Sequence, residues 1–369
     1  MSSVPEPTFL AFSLREGRWL VMMVRGEVSA RVGRRPRGVF LSRMIAGVLS
    51  GVAMATVVPA GSAEAAAVPS VAAASAFGRP LRVMPLGDSI TAGVGSPSRS
   101  SYRTDLRRRL AGAGVAVDFV GSQRSGPGPD PDHEGHGGWT IDRISRHLDG
   151  WLATYRPDIV LVHLGTNNVT RGEAAPVIAA KLSALVDQIR VDLPASRIVV
   201  STIIGSKVRA ELTVDRAYNA LIPGVVAGKD ARVALADQST VQGIDLLDLH
   251  HPNDFGYAKM AYTYYRTLAA ILPAGRAWPA GTNPHRLRSA VRCLWRPVQR
   301  AGRTANLTEC RRWTMREVQR RIGGVDRSVQ RWQTRRPVAR VRTVTVNGRR
   351  VTTTHLVNRW FGAEDFLRF

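Results

Sequence analysis

The chain has 369 residues, of which 44% are apolar, so it is long enough for one large domain or two smaller ones with a sizeable core. Its formal net charge of +24 is concentrated at one end: residues 274–369 hold 22 basic and five acidic residues, a net charge of +17, whereas residues 66–273 hold 22 basic and 19 acidic residues, a net charge of +3. The middle therefore has the composition of an ordinary globular domain, and its lack of cysteine excludes a thiol nucleophile there.

Residues 1–65 are interpreted as an N-terminal extension that ends in an export signal. Several arginines precede a charge-free apolar stretch at 44–59, and the small residues at 61–67 fit the small-x-small pattern of a cleavage site. The apolar stretch is shorter than the roughly 20 residues that span a membrane. We therefore expect a secreted protein with no stable membrane insertion after cleavage. The alternative is a membrane anchor formed by residues 44–59.

Strands alternate with helices between residues 79 and 273, the predicted catalytic domain. Apolar runs predict strands, and apolar residues spaced by three and four predict helices. The predicted strands are 81–87, 115–121, 158–165, 197–204 and 232–237, and the predicted helices are 102–113, 139–155, 173–192, 212–222 and 253–272. This alternation predicts a three-layer α/β/α sandwich around a parallel five-stranded sheet. Residues 122–138 are predicted to form a long loop, rich in Gly, Pro, Asp and His.

The first of four chemically suggestive blocks follows the first predicted strand. Residues 87–91 read Gly-Asp-Ser-Ile-Thr and offer the hydroxyl of Ser89 as a nucleophile at the carboxyl edge of the sheet. The block lacks the G-x-S-x-G spacing of the α/β-hydrolase elbow, which disfavours that fold. Alternatively, the serine only caps a helix.

Two further blocks can stabilise negative charge on a reacting oxygen. Residues 135–140 contain adjacent glycines, whose backbone can approach a substrate closely and donate an N–H. Residues 165–168, Gly-Thr-Asn-Asn, end the strongest predicted strand and offer a side-chain amide as a second donor. Each block is also compatible with an ordinary turn between two elements.

The fourth block, residues 248–257, offers a base and a group to orient it. Asp248 precedes His251 by three residues, so its carboxylate can orient an imidazole that accepts the serine proton. His250 competes for the same role. Either histidine could instead be a surface residue near a helix start, or a metal ligand together with His133 or His136.

In the order serine, glycine, asparagine, Asp-x-x-His, these blocks resemble the signature of the SGNH (GDSL-type) hydrolases over residues 81–272. The resemblance implies a flavodoxin-like sandwich and a serine ester hydrolase that needs no metal or cofactor. It implies that Ser89 is the nucleophile, His251 the base and Asp248 its orienting group. It also implies an oxyanion hole formed by the backbone N–H groups of Ser89 and Gly138 and the side chain of Asn167.

Two details of the resemblance concern individual positions. The family pattern has proline after the catalytic histidine, and Pro252 follows His251, which favours His251 over His250. Many family members have aspartate where this chain has Asn168, so a local hydrogen bond of that loop is in question.

Residues 84–91, 118–122, 133–141 and 251–257 are similar to the acetylxylan-esterase branch, carbohydrate esterase family three, and its secreted actinobacterial relatives. This implies removal of acetyl groups from plant polysaccharide or from a small ester. Trp139 either stacks on a sugar ring or begins the core face of a helix. The alternatives are a lipase or phospholipase of the same fold, and a non-catalytic protein that binds polysaccharide or cell wall.

Residues 274–369 combine five tryptophans with 22 arginines and contain the two cysteines of the chain, Cys293 and Cys310. One interpretation is a small accessory module, closed by a disulfide between them, that binds polysaccharide or an anionic polymer. A second is a basic, partly disordered extension that binds polyanions, and a third is a segment with little evolved function. The sequence contains no known nucleic-acid reader motif, so no specific nucleic-acid partner is expected.

Overall fold

The computed structural model describes residues 8–13, 19–24, 78–272, 277–300, 303–346 and 349–365. The chain divides into two compact units, Met1–Val71 and Ala72–Phe369. In the first unit, strands β1 (Thr8–Ser13) and β2 (Trp19–Val24) pair antiparallel. The predicted export signal, including residues 44–59, lies outside the described residues.

The second unit is built on a seven-stranded sheet. Its strands are β3 (Leu81–Gly87), β4 (Val117–Phe119), β5 (Gln123–Arg124), β6 (Asp132–Gly135), β7 (Ile159–His163), β8 (Arg197–Ser201) and β9 (Val233–Ala236). The order is β5-β6-β3-β7-β8-β9, and β4 pairs with β3 beyond the end of β6. Strands β4, β3, β7, β8 and β9 are all parallel, as predicted. The two additional strands lie within the segment predicted as a loop, where β5 and β6 form a short antiparallel pair.

In the part of the chain that the structure describes, seven α-helices connect these strands or follow them. They are α1 (Ser89–Ala92), α2 (Arg103–Gly112), α3 (Ile141–Tyr155), α4 (Thr166–Thr170), α5 (Ala175–Asp192), α6 (Arg209–Ala227) and α7 (Asp254–Ile271). Short 3₁₀ helices occur at Gly243–Asp245, Pro284–Arg286 and Ala363–Asp365. Within the described ranges, no helix is both long enough and apolar enough to cross a membrane.

The sheet has a hydrophobic core on each of its faces. Alternate residues of one strand point to opposite faces, so Val83 belongs to the core under α2 and α7, whereas Met84 belongs to the core under α3, α5 and α6. Strand β7 is buried along its whole length, because both of its faces are covered. These two cores make residues 78–272 a three-layer α/β/α sandwich, which confirms the predicted fold class.

The basic C-terminal segment forms a four-stranded antiparallel sheet in chain order. Its strands are β10 (Ser289–Arg300), β11 (Arg303–Ile322), β12 (Val325–Val346) and β13 (Arg349–Gly362). Cys293 and Cys310 lie opposite each other on β10 and β11 and are joined by a disulfide. The base of the sheet packs on the sandwich, since Ile244 forms a small apolar cluster with Leu294 and Trp313.

Candidate active site

The hydroxyl of Ser89 lies where the central strand β3 turns into a helix. The strand ends at Gly87, and a Cβ atom there would lie 2.2 Å from Oγ1 of Thr91 and 2.8 Å from the carbonyl oxygen of His163, so only glycine fits this turn. Asp88 is the N-cap of α1, and its Oδ1 accepts a hydrogen bond of 2.9 Å from the N–H of Ile90. Ser89 is therefore the first residue of α1, at the carboxyl edge of the sheet.

His251 lies between Ser89 and Asp248. Its Nε2 is 3.0 Å from the Oγ of Ser89, and its Nδ1 is 2.7 Å from Oδ2 of Asp248. The other oxygen of Asp248 accepts hydrogen bonds from the backbone N–H groups of His250 and His251, at 2.9 and 2.7 Å. A serine hydroxyl, an imidazole and a carboxylate joined in this order can transfer the hydroxyl proton to the imidazole.

The neighbouring histidine has a different partner. Nε2 of His250 is 2.6 Å from Oε2 of Glu211, a residue of α6. Of the two histidines that the sequence left in competition, His251 is the one beside Ser89.

Burial and hydrogen bonding oppose each other at Asp248. Burial raises the pKa of the Asp248 carboxyl, but the hydrogen bond and charge of His251, together with the two backbone N–H donors, outweigh it and lower that pKa overall. The carboxyl is therefore ionised at neutral pH, which is the form that can accept from Nδ1 of His251.

His251 is held in place by a glycine that the sequence did not single out. A Cβ atom on Gly95 would lie 2.3 Å from the carbonyl oxygen of Pro252 and 2.9 Å from Cβ of His251. Gly95 also has a φ of +95°, which side chains rarely adopt. The only sequence feature that pointed to Gly95 was its position in the glycine-containing loop after Ser89. Its contact with His251 could not be predicted, because the two residues are far apart in sequence.

The glycine block lies beside Ser89. A Cβ atom on Gly137 would lie 3.7 Å from Cβ of Ser89, whereas one on Gly138 would meet no atom within 4 Å. Gly138 has a φ of +77°, and its carbonyl oxygen accepts a 3.2 Å hydrogen bond from Arg171. Gly137 is thus the glycine whose Cβ direction faces Ser89, and Gly138 is exposed at the turn that leads into α3.

The side chain of Asn167 is anchored by two hydrogen bonds. Its Nδ2 donates to Oδ2 of Asp88 at 3.2 Å and to the carbonyl oxygen of Trp139 at 3.0 Å. Burial raises the pKa of the Asp88 carboxyl to about 6. The carboxyl next to Ser89 in sequence therefore helps to orient the amide that follows β7.

Asn168, the position at which the chain differs from the family pattern, is fully buried. Its Oδ1 accepts from the backbone N–H of Ile141 at 3.1 Å, and its Nδ2 donates to Glu173 at 2.9 Å. The amide thus satisfies the first N–H of α3. It links α3 to the loop after β7.

Trp139 is half-buried and its ring is already in contact with several side chains. The ring of His136 stacks on it at 4.3 Å, and the guanidinium of Arg143 lies 4.1 Å from its centroid. Ring contacts with His147 and Trp151 complete the group. A sugar stacked on Trp139 would replace at least one of these contacts.

The histidines of residues 133–136 are engaged in local hydrogen bonds. His133 contacts the Oγ of Ser125 at 2.7 Å, and His136 contacts the buried carboxylate of Glu134 at 2.5 Å. Burial lowers the pKa of His133 to about 3, so it is neutral at ordinary pH. Among the described residues, no three His, Cys, Asp or Glu side chains lie close enough together to hold a metal ion.

Comparison with known proteins identifies the class that this fold and site define. The model of the GDSL-like Lipase/Acylhydrolase family matches residues 86–259. A family 3 carbohydrate esterase from Clostridium thermocellum is 38% identical and covers 52% of this chain and 97% of its own, with a TM-score of 0.47. A carbohydrate esterase family 3 protein from Talaromyces cellulolyticus is 32% identical with the same coverage and a TM-score of 0.46.

The chain belongs to the GDSL-like lipase/acylhydrolase family, whose model its residues 86–259 match. This confirms the resemblance found in the sequence and the prediction of an ester hydrolase. A multidomain esterase from Ruminococcus flavefaciens is 29% identical over 252 residues, which is 59% of this chain and 32% of that protein. The chain thus spans about a third of the length of that curated relative.

Proposed function

We propose that this chain is a secreted serine ester hydrolase that removes O-acetyl groups from a polysaccharide such as xylan. The observation that carries the proposal is the contact of Ser89 Oγ with His251 Nε2 at 3.0 Å, while His251 Nδ1 lies 2.7 Å from Asp248. These distances are within the reach required of a nucleophile, its base and the group that orients the base.

In the proposed reaction, Ser89 Oγ attacks the carbonyl carbon of the ester while its proton passes to Nε2 of His251. The Asp248 carboxylate, which accepts from Nδ1, stabilises the imidazolium that forms. The carbon–oxygen bond to the sugar then breaks, and the leaving alcohol takes the proton from His251. Water attacks the acetyl-serine in the same way and releases acetate.

The negative oxygen of the tetrahedral intermediate is assigned to the N–H groups of Ser89 and Gly138 and to the amide of Asn167. A single donor of this type is typically worth about 2.7–4 kcal/mol of transition-state stabilisation. Both Nδ2 hydrogens of Asn167 already point to oxygens, those of Asp88 and Trp139. To donate to the intermediate, the amide exchanges or shares one of these bonds.

The choice of an acetylated polysaccharide is supported by the two family 3 carbohydrate esterases, which are 38% and 32% identical to this chain. Substrate choice depends on loops rather than on the fold. The half-buried ring of Trp139, at the start of the helix that follows the glycine block, is the proposed sugar contact.

Export is supported by the disulfide between Cys293 and Cys310, because such bonds persist in oxidising compartments outside the cytosol. In this proposal, residues 1–65 contain the signal that is removed. The arginine-rich segment 274–369 then engages anionic polymer near the substrate.

The test is acetate release from acetylated xylan, compared with hydrolysis of a long-chain ester, by the full chain and its Ser89→Ala variant. We expect acetate release that falls by about 10⁶-fold in the variant, the size of loss on removing a serine nucleophile. Ser98→Ala, an exposed serine of the following loop, is the control and should keep full activity.

Three outcomes contradict the proposal in different ways. Equal acetate release by the Ser89→Ala protein would remove Ser89 from the mechanism. Activity on the long-chain ester alone would assign the protein to the lipases of the family. Inactivity on both substrates would favour a binding role.

A further inference from the structure

A cavity of about 320 Å³ lies between the start of α7 and the C-terminal sheet, and Ser89 is not among its lining residues. Its walls come from the 3₁₀ turn that holds Asp245, from Phe255 and Lys259 of α7, from the segment 284–292 and from Trp332 of β12. Its volume is at the lower end of the range of small-molecule sites and is sufficient for one sugar residue.

The charge of this cavity is strongly positive. Lys259 and Arg292 both bind the carboxylate of Asp245, at 2.7 and 2.9 Å, so the three groups together retain one positive charge. Arg286 and Arg288 line the same cavity and are exposed. Four cations therefore face one carboxylate around this cavity.

The guanidinium of Arg292 lies over two aromatic rings. It lies 4.0 Å from the ring centroid of Phe255 and 3.9 Å from that of Trp332, and the side chain is only 2% exposed. Its Nε is used by Asp245, but its Nη1 is buried and has no hydrogen-bond partner among the described residues. A buried charged donor without a partner is costly, and a bound carboxylate is the acceptor that a guanidinium fits best.

We propose that this cavity binds a uronic acid residue, a sugar that carries a carboxylate, of an acidic polysaccharide. The arginines match the carboxylate, and the rings of Phe255 and Trp332 with the apolar side chain of Met315 provide the surface on which a sugar ring packs. The identity of the ligand as a sugar rests on the proposed function. The inference of an anion site does not depend on the proposed function, because it rests on the four basic side chains of the cavity and on the Nη1 of Arg292 that is unpartnered among the described residues.

The cavity borders the loop that carries the proposed catalytic groups. The carbonyl oxygen of Asp245 accepts from the backbone N–H of Asn253 at 2.9 Å, and residues 248 and 251 lie between them in sequence. On β10, the N–H of Trp295 donates to the carbonyl oxygen of Leu247 at 2.7 Å. The C-terminal sheet therefore completes a binding site directly behind the catalytic loop.

The test is calorimetric titration of the full chain with a xylo-oligosaccharide that bears glucuronic acid and with the same oligosaccharide without it. We expect binding of the acidic sugar and at least about tenfold weaker binding of the neutral one. Arg286→Gln with Arg288→Gln should raise the Kd of the acidic sugar about tenfold, roughly 1.4 kcal/mol. Arg340→Gln with Arg350→Gln removes the same charge from exposed positions of β12 and β13 and should leave the Kd unchanged.

Each contrary result overturns a defined part of the proposal. No binding of the acidic sugar would overturn the proposal. Equal loss in the two double variants would replace the site with general electrostatic attraction. Inorganic phosphate that binds as tightly as the acidic sugar would show an anion site without sugar recognition. Because the titration needs no turnover, it gives the same answer in the Ser89→Ala protein, and failure of the esterase proposal is separately visible.

Discussion

His250 and His251 are adjacent in sequence but contact different groups. Both backbone N–H groups donate to one oxygen of Asp248, which fixes the turn, and the two side chains then diverge. The imidazole of His251 reaches Ser89, while that of His250 reaches Glu211. The local spacing predicted an orienting carboxylate, but only the course of the chain around Asp248 decides which ring meets the serine.

His251→Ala should lower kcat by about 10⁴-fold or more, because the Ser89 hydroxyl loses the group that we propose accepts its proton. His250→Ala should keep kcat within about tenfold of the parent, since its ring binds Glu211 and not Ser89. Steady-state acetate release checks both, with circular dichroism to verify the fold. A larger loss in the His250 variant would assign the base to His250 instead.

At the scale of elements, the N-terminus of α7 joins the loop of residues 248–251 to the C-terminal sheet. Asn253 caps this helix by accepting from the N–H of Gly256 at 3.1 Å. The Nδ2 of the same side chain donates to the carbonyl oxygens of Ile244 at 2.9 Å and Cys293 at 3.0 Å. The sequence predicted a helix from about residue 253. It could not predict the hydrogen bond from the Asn253 side chain to Cys293, because that residue lies on a strand 40 residues further along the chain.

Asn253→Ala should lower the free energy of unfolding by about 3–5 kcal/mol. A lost cap costs about 1 kcal/mol. The buried carbonyl of Ile244 and the partly buried carbonyl of Cys293 each lose a donor, at the lower part of the range of about 1–3 kcal/mol, and together add about 2–4 kcal/mol. Urea unfolding at pH 7 measures the change. Asn283→Ala, which removes the cap of the short turn at Pro284–Arg286, is the matched control and should cost about 1 kcal/mol. Equal losses would mean that the link between helix and sheet adds nothing.

At the scale of the whole molecule, the sandwich contains a fully buried histidine at the end of its central strand pair. Neither ring nitrogen of His163 has a hydrogen-bond partner among the described residues, and burial lowers its pKa to about 4. In the unfolded chain the pKa of histidine is near 6.5, so above that pH His163 is neutral in both states and does not oppose folding. As the pH falls from 6.5 through 4, the unfolded state binds a proton that the folded state does not, and the folded state loses stability. Asp88, with its pKa raised to about 6, acts in the opposite sense, because its stability is lost as the pH rises through 6.

His163→Phe should therefore stabilise the protein at pH 4 by about 3 kcal/mol relative to its effect at pH 7, where the change should be small. Asp88 is present in both proteins, so the difference in the free energy of unfolding between variant and parent reports on His163 and not on Asp88. Urea unfolding at the two pH values is the measurement, with His355→Phe, an exposed histidine of β13, as the control. The same shift in both variants, or none in either, would contradict a buried neutral His163.

The sequence by itself determined the three-layer sandwich, its five parallel strands and the residues that meet at its carboxyl edge. The sandwich and its strands could be predicted because buried strands and amphipathic helices leave periodic patterns in the sequence. The residues at the carboxyl edge were instead implied by the resemblance to the SGNH hydrolases. Strands as short as β5 leave no such pattern, and they form only because residues 122–138 fold beside β3. The contact of Gly95 with His251 and the burial of Arg292 between Phe255 and Trp332 are likewise decided by tertiary structure alone, because their partners are far apart in sequence.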